Sequence, residues 1–392
     1  DRYALVEELK KGVYTNLFLI NIDNFSNINK LYGFENGDKI LSEVVRLINI
    51  SKPRISKLYS VGADEFAVIC FEDISPEILS EMASSIVSFF DQIELQVDSI
   101  SIRISISIGI ASGVGVEILN HAKEALAELR EHSRGAFKIY DINSAYIKQQ
   151  IQNNYWIDKI KTSFENEALF TYYQPILNNN TQKIEKYECL ARIYDDGIIV
   201  PPIRFLEASK LTGTLSLITR TMIENSFQAF SGSDFGFSIN ITQVDLFLGY
   251  LEDFLLKHAK KHNIDPSNVT LEILEDVSSI GSSEILHQLS SLREAGFKIA
   301  IDDFGSMSSN LSRLLEFSPD FLKIDGSFIK NILNDKKSLI IVESIIYLCK
   351  RSGIKTIAEF VHSKEVQDKV IELGIDYSQG YYIGEPKDRY KN

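Results

Sequence analysis

The sequence predicts an α+β sandwich over residues 1–141, a connecting helix over 142–158 and an α/β barrel of the TIM type over 159–392. Three observations carry this. In the first stretch, apolar runs alternate with helical stretches, and two of the runs are joined by a short Gly/Asp turn, which makes a hairpin. From Phe170 to the end, short apolar runs and helical stretches alternate until eight runs have passed, the count of a β/α barrel. Five of those runs deliver an acid, an amide or a lysine near their C-terminal ends: Ser238-Ile239-Asn240, Leu271-Glu272-Ile273, Ile299-Ala300-Ile301-Asp302-Asp303, Leu322-Lys323-Ile324-Asp325 and Ile357-Ala358-Glu359. Aspartate is a poor strand former, so a run that drives it to its end presents charge at the rim of a sheet. Taken singly, each is a solvated strand end. In series they mark the functional face of a barrel, where converging carboxylates bind divalent cations.

In chain order, residues 3–12 carry a helical pattern. Residues 16–22 are short, continuous and apolar, which predicts a buried strand. Asp23 or Asn24 is placed to cap the next helix, Gly33 ends it, and Gly37-Asp38 opens another that runs through Ile50. Strands over 55–61 and 66–70 flank the turn Gly62-Ala63-Asp64-Glu65, and a helix covers 75–93. Ile102, Ile104, Ile106, Ile108 and Ile110 alternate with Arg and Ser, which predicts one strand with one wet face. A helix over 117–132 and a strand over 137–140 complete the sandwich. Residues 142–166 are polar and contain neither Gly nor Pro, so they read as a helix and not as a flexible linker. Barrel strands are predicted over 170–176, 184–193, 235–241, 269–274, 297–302, 320–325, 355–358 and 376–382.

Composition narrows the classes. The chain has 392 residues, is 44% hydrophobic and carries a formal net charge of −13, which argues against an unspecific nucleic-acid or membrane surface. Bound metal ions can still supply positive charge for a nucleotide ligand. Cys70, Cys189 and Cys349 lie singly in apolar runs and read as reduced core residues. His258 and His262 stand at helical spacing without a zinc pattern around them. No run approaches the ~20 apolar residues of a membrane helix. A cytoplasmic setting is expected, for this chain or for the cytosolic part of a longer, membrane-anchored or sensor-bearing protein.

At Gly62-Ala63-Asp64-Glu65-Phe66 the first domain resembles the GGDEF family of diguanylate cyclases, a nucleotide-cyclase-like sandwich. The resemblance implies a metal-bound GTP near the hairpin tip, with Asp64 as a turn acid. Asn29 and Asp38 match the guanine-reading pair; their alternative reading is as helix caps. Arg130 and Arg134 stand where phosphate-contacting residues occur. The family has an aspartate where this chain has Asn21, and a neutral amide is a weaker Mg²⁺ ligand. The resemblance therefore implies a degenerate domain without cyclase activity that binds GTP as a regulatory ligand. Pro53 and Ser56 occupy the positions of the inhibitory product site, so feedback inhibition there is not expected.

At Glu188-Cys189-Leu190 and Asp302-Asp303-Phe304-Gly305 the second domain resembles the EAL family, phosphodiesterases of cyclic di-GMP. Glu188, Leu190 and Arg192 share one face of a strand by period two. By resemblance, Glu188, Asn240, Glu272, Asp302, Asp303 and Glu359 are ligands of a two-metal Mg²⁺ or Mn²⁺ site. Asp303 bridges the metals or orients water, and Lys323 stands beside the attacking water. Lys323, Asp303 and Glu359 are thus the catalytic candidates. Gln174, Arg192 and Gln379 match substrate contacts, and Glu275 matches a glutamate that steadies the loop after Asp303. The alternative for Lys323 is a barrel-interior salt bridge to Asp325 or Glu272, disfavoured because a purely structural lysine is costly to bury. The chain departs from the family at Met307 and Ser308, which replace a glycine and a tyrosine, at Phe360, which replaces a glycine, and at His362, which replaces a glutamate.

The resulting expectation is a metal-dependent hydrolase that converts cyclic di-GMP to linear pGpG, regulated by GTP through the connecting helix. It would form a homodimer through the EAL domain, with neither nucleic acid nor membrane as partner. A non-catalytic cyclic di-GMP receptor signalling to a protein partner is the alternative. The altered loop speaks for it and the complete ligand set against it.

Overall fold

The computed structural model describes residues 1–98, 100–274, 283–305 and 317–390. The chain divides into two compact units, residues 1–152 and 153–392.

In the first unit, β1 (Thr15–Ile22), β2 (Lys57–Ser60), β3 (Glu65–Cys70), β4 (Glu94–Val97), β5 (Ile100–Arg103), β6 (Ile106–Gly113) and β7 (Phe137–Ile139) form a five-stranded sheet ordered β2-β3-β1-β6-β7 and a separate β4-β5 hairpin. All of β1 is buried because both of its faces are covered, which is why it reads as one apolar run. Phe18, Ile20 and Ile22 pack into one core, and Leu17 and Leu19 into another on the opposite face.

The isoleucine alternation over 102–110 is not one strand. It breaks between β5 and β6, and the second part has no wet face: Ile106 to Ala111 are all buried. The small residues opposite the isoleucines serve packing. Ser107 donates to Asp23 Oδ1 at 2.8 Å, and Gly109 lets the helix Glu117–His132 approach so closely that a Cβ would strike the Ala122 carbonyl.

The helix after Gly33 also begins earlier than predicted, at Phe34, with Gly33 in the capping position. Asp38 therefore lies inside that helix, and the reading of Asp38 as its cap is removed. Asn24 holds the capping position of the helix Phe25–Tyr32 without a side-chain cap bond, its Oδ1 accepting instead from Arg134, and Asp23 is engaged by Ser105, Ser107 and the Gly135 amide.

The second unit contains β8 (Leu169–Asn178), β9 (Lys183–Asp195), β10 (Ile198–Val200), β11 (Gly236–Ile241), β12 (Val269–Leu274), β13 (Lys298–Phe304), β14 (Phe321–Ile324), β15 (Lys355–Ala358) and β16 (Tyr377–Gln379). β8 pairs with both β9 and β16 and so closes the ring; β10 hangs on β9 outside it. The barrel predicted from sequence is present, with one correction. No helix separates the first two strands, and β8 runs antiparallel to both neighbours. The link 179–182 is too short for the dozen or more residues that a parallel crossover requires, so it can only be a hairpin. The six pairings from β9 through β11 to β16 are parallel. Helices such as Leu215–Ala229 and Lys336–Ser352 turn apolar faces onto the barrel, burying Ile223 and Phe227 in one core and Val342 and Cys349 in another. Among the described residues, no helix is long and apolar enough to cross a membrane.

Candidate functional site

The centre of the barrel is a lysine surrounded by acids. Lys323 lies mid-strand in β14 and is 1% exposed. Its Nζ stands 2.7 Å from Glu272 Oε2, 2.9 Å from Asp302 Oδ1, 3.1 Å from Glu359 Oε1 and 3.4 Å from Glu188 Oε2. These carboxylates come from β12, β13, the end of β15 and β9, so only ring closure brings them together. Of the salt bridges weighed from sequence, the one to Glu272 is present. Asp325 instead caps the helix Gly326–Lys330 by accepting from the Ser327 amide at 2.7 Å.

Amides complete the ring. Asn240 Nδ2 donates to Glu188 Oε1 at 3.0 Å, and Gln379 Nε2 donates to Glu188 Oε2 at 2.6 Å and to Gln174 Oε1 at 3.1 Å. Gln174 donates in turn to the Gly384 carbonyl at 3.3 Å. Arg192 stands apart from the cluster: its guanidinium donates to the Ala191 carbonyl and lies 5.2 Å from the Tyr172 ring centroid. Asp303 is half-buried with a left-handed backbone, φ 54°, a conformation aspartate tolerates better than most residues. Oxygens of Asp302, Asp303 and Glu359 lie within 4.8 Å of one another. Glu275, Met307 and Ser308 lie outside the described residues.

The charges are unevenly held. Burial works against an ionised Glu188, yet Lys323 and the bonds from Gln379 and Asn240 keep its carboxyl below the usual range. Burial and the neighbouring Glu188 push Glu272 up to about 8. Burial, with Asp302 beside it, pushes Asp303 up to about 6. Burial raises Glu359 well above its ordinary value, and its Oε2 is enclosed with no hydrogen-bond partner among the described residues. Burial disfavours the Lys323 ammonium, but the acids around it, Asp302 first, hold it firmly protonated. Several acids crowded around one cation, with an orphaned carboxylate oxygen and oxygen-only donors, fit additional hard cations such as Mg²⁺ or Mn²⁺ and not zinc.

The rim beyond Glu359 was only partly legible in the sequence. Phe360 also takes a left-handed backbone, φ 54°. Glycine is free there, whereas a bulky side chain costs about 1–2 kcal/mol. His362 is exposed and donates to the Phe360 carbonyl at 3.2 Å, supplying no carboxylate. Two residues were missed altogether, Tyr172 beneath Arg192 and Lys186 on the barrel floor, whose Nζ lies 3.3 Å from the Phe321 ring centroid. Period two from Glu188 would have pointed Lys186 inward.

In the first unit, Asp64, Arg130 and Arg134 line a cavity of about 300 Å³ together with Asn21, Asp23 and Asn24. Arg130 pairs with Glu65 at 3.6 Å, Arg134 donates to Asn24, and Asn21 Nδ2 donates to the Asp64 carbonyl at 3.4 Å. Asn29 and Asp38 do not line this cavity; Asn29 Oδ1 is buried against Gly37.

Comparison with known proteins gives two family matches: the EAL domain over residues 157–386, and the diguanylate cyclase GGDEF domain over residues 4–136. The chain is 30% identical over 384 residues to the cyclic di-GMP phosphodiesterase PdeB of Shewanella oneidensis, covering 94% of this chain and 44% of PdeB. It spans about half the length, or less, of the curated relatives it matches. Among solved structures, the PaMucR phosphodiesterase in complex with c-di-GMP matches with a TM-score of 0.57 at 25% identity, over 59% of this chain and 97% of that one. The FimX EAL domain from Pseudomonas aeruginosa, bound to c-di-GMP, matches with a TM-score of 0.55 at 25% identity, over 60% of this chain and 98% of that one.

Proposed function

The chain belongs to the EAL-domain family, with a GGDEF domain ahead of it, and on that premise we propose that it hydrolyses cyclic di-GMP to linear pGpG at the C-terminal mouth of the barrel. The observation that carries the proposal is the acid cluster around Lys323, built from separate parallel strands of the barrel. Glu188, Asn240, Glu272, Asp302, Asp303 and Glu359 would hold two Mg²⁺ or Mn²⁺ ions. When bound, the ions acidify a water and neutralise charge on the phosphate.

The chain's own residues do the rest. Asp303 and Glu359, adjacent at the rim, orient the water and take its proton. Burial beside Asp302 makes the Asp303 carboxylate of the metal-free chain more basic than a solvated aspartate, and its oxygen lies close to that of Glu359. Lys323, fixed in its ammonium form, offsets negative charge as the phosphorane develops. Gln174 and Gln379 orient the substrate, and Arg192, off to one side, reaches its phosphate. The P–O3′ bond breaks, the 3′ oxygen takes a proton, and the 5′-phosphate stays on the product.

The test is cyclic di-GMP hydrolysis with Mg²⁺ and with Mn²⁺, for the full chain and for Glu188→Ala and Lys323→Ala. Turnover should fall at least ~100-fold in both variants, the scale of one lost electrostatic contributor. Tight binding without any turnover by the unaltered chain would instead establish a receptor. That second reading is favoured by one observation: His362 places an imidazole where the family carries an acid. For the first unit we propose GTP as a regulatory ligand in the cavity lined by Asp64, Arg130 and Arg134. Asn21 in place of a carboxylate removes the charge that cyclase chemistry requires.

A further inference from the structure

The floor of the barrel, at the N-terminal ends of its strands, holds a cation that no acid neutralises. Lys186 of β9 is half-buried, with its Nζ 3.3 Å from the Phe321 ring centroid and 4.6 Å from that of Tyr377. Among the described residues it forms no ion pair. The acids nearby are engaged elsewhere. Glu185 accepts from Thr181 at 3.0 Å and from Tyr377 at 3.4 Å. Asp320 pairs with Lys298 at 3.3 Å and accepts from the Ile299 amide at 2.9 Å. Glu272, one layer up, faces Lys323. Aromatic faces attract an ammonium but carry no net charge, so a lysine drawn out of water between them still lacks a counter-ion.

The surroundings of Lys186 form a layer of their own. Lys186, Thr270, Phe321 and Tyr377 stand two positions before Glu188, Glu272, Lys323 and Gln379 on the same four strands. Period two puts them on the same inward face, beneath the acid cluster. They line a cavity of about 450 Å³. Gly236 pairs with Lys186 across β9 and β11 and has no side chain to fill it. Thr270 is 6% exposed, and its hydroxyl has no hydrogen-bond partner among the described residues. An ammonium without a counter-ion and the unpartnered hydroxyl of a buried residue thus line one space. Its wall is aromatic: Phe321 meets Tyr377 edge-on at 5.8 Å, and Phe235 completes it.

We infer that the barrel floor is a binding site for a small monocarboxylate with an apolar or aromatic body. The carboxylate meets the Lys186 ammonium and the Thr270 hydroxyl, and the body lies against Phe235, Phe321 and Tyr377. A few polar groups that fix orientation on an otherwise apolar wall are what a small-molecule site requires. One unpaired cation calls for one negative charge. Glu185 and the exposed Asp234 line the same cavity and repel more highly charged ligands such as phosphate esters. The site lies at the opposite end of the barrel from the mouth, so it goes beyond the hydrolysis of cyclic di-GMP and does not depend on it.

The probes are benzoate, its neutral isostere benzamide, and inorganic phosphate. Each is titrated into the full chain by calorimetry, with chelator present so that no metal ion binds them. Benzoate should bind saturably at one site per chain, and benzamide and phosphate at least tenfold more weakly. Lys186→Met keeps the apolar stem and removes the charge, and should weaken benzoate tenfold or more, as loss of a charged hydrogen bond does. Thr270→Val keeps the shape and removes the hydroxyl, and should weaken it about fivefold. Should Lys186→Met fail to fold, Thr270→Val and the comparison of benzoate with benzamide decide. No saturable binding of benzoate, equal affinity for benzoate and benzamide, tighter binding of phosphate, or binding unchanged in a folded Lys186→Met or in Thr270→Val would overturn the inference. A chain that hydrolyses no cyclic di-GMP should still bind benzoate here, so the two readings fail separately.

Discussion

Lys323 and the acids around it set the chemistry at the residue scale. Four carboxylates lie within 3.4 Å of one ammonium, so they cannot all be comfortably ionised without more positive charge. The sign of the pH dependence follows. Asp303 and Glu272 are raised to about 6 and about 8, so each stabilises the metal-free fold below its unfolded value and loses that contribution as pH rises through its folded value. With chelator present, the melting temperature should fall between those two pH values. Mg²⁺ or Mn²⁺ should recover more stability at the upper one, because the cations bind the ionised acids. Thermal melts by circular dichroism at both pH values, with chelator and with metal, check this; a chelated protein that grows more stable across the window would refute it. Lys186, lowered to about 8 by burial, works in the opposite sense only above that pH and so leaves the window clear.

At the scale of elements, the barrel depends on its antiparallel closing strand, and one asparagine fastens the closure. Asn179 follows β8 in the hairpin and is buried. Its Nδ2 donates to the Ile375 carbonyl at 2.9 Å, and its Oδ1 accepts from Gln367 at 2.8 Å and from Ser378 at 3.0 Å. It thereby ties the β8–β9 turn to β16 and to the helix Lys364–Glu372. Truncation leaves three buried groups without partners, so Asn179→Ala should cost about 2–3 kcal/mol. Urea unfolding should show a lower midpoint at unchanged m-value; an unaltered midpoint would show that water replaces the bonds. Gln379 lies one residue beyond Ser378, so the same fastening also steadies an amide that holds Glu188.

At the scale of the whole molecule, the two units have different architectures, a five-stranded sandwich and a closed barrel. The sandwich keeps an arginine-lined cavity but has a neutral Asn21 beside Asp64, so the chain should form no cyclic di-GMP from GTP and Mg²⁺. Incubation with GTP followed by chromatography checks this, and any cyclic product would overturn it. GTP added to the hydrolysis of cyclic di-GMP should change its rate, carried by the helix Ala145–Glu165. A homodimer through the barrel is the expected assembly, to be read by light scattering on the full chain.

What the sequence determined by itself is whatever a short stretch can encode. Runs such as 269–274 and 355–358 are strands because apolar, β-branched residues fill a pleated surface, and the acids at their ends follow from the same local pattern. The family resemblance, resting on contiguous motifs, was equally legible. Other features required the closed ring. Ser107 and Gly109 looked solvent-facing until a helix was laid over them, and β8 looked like one more parallel strand until its short turn reversed it. That Lys323 meets Glu188, Glu272, Asp302 and Glu359 at once is a property of five chain segments far apart in sequence. Alternation along a strand tells which side chains point inward. Only the stagger and closure of the barrel decide which of them meet, because those depend on hydrogen bonds between segments that no local pattern specifies.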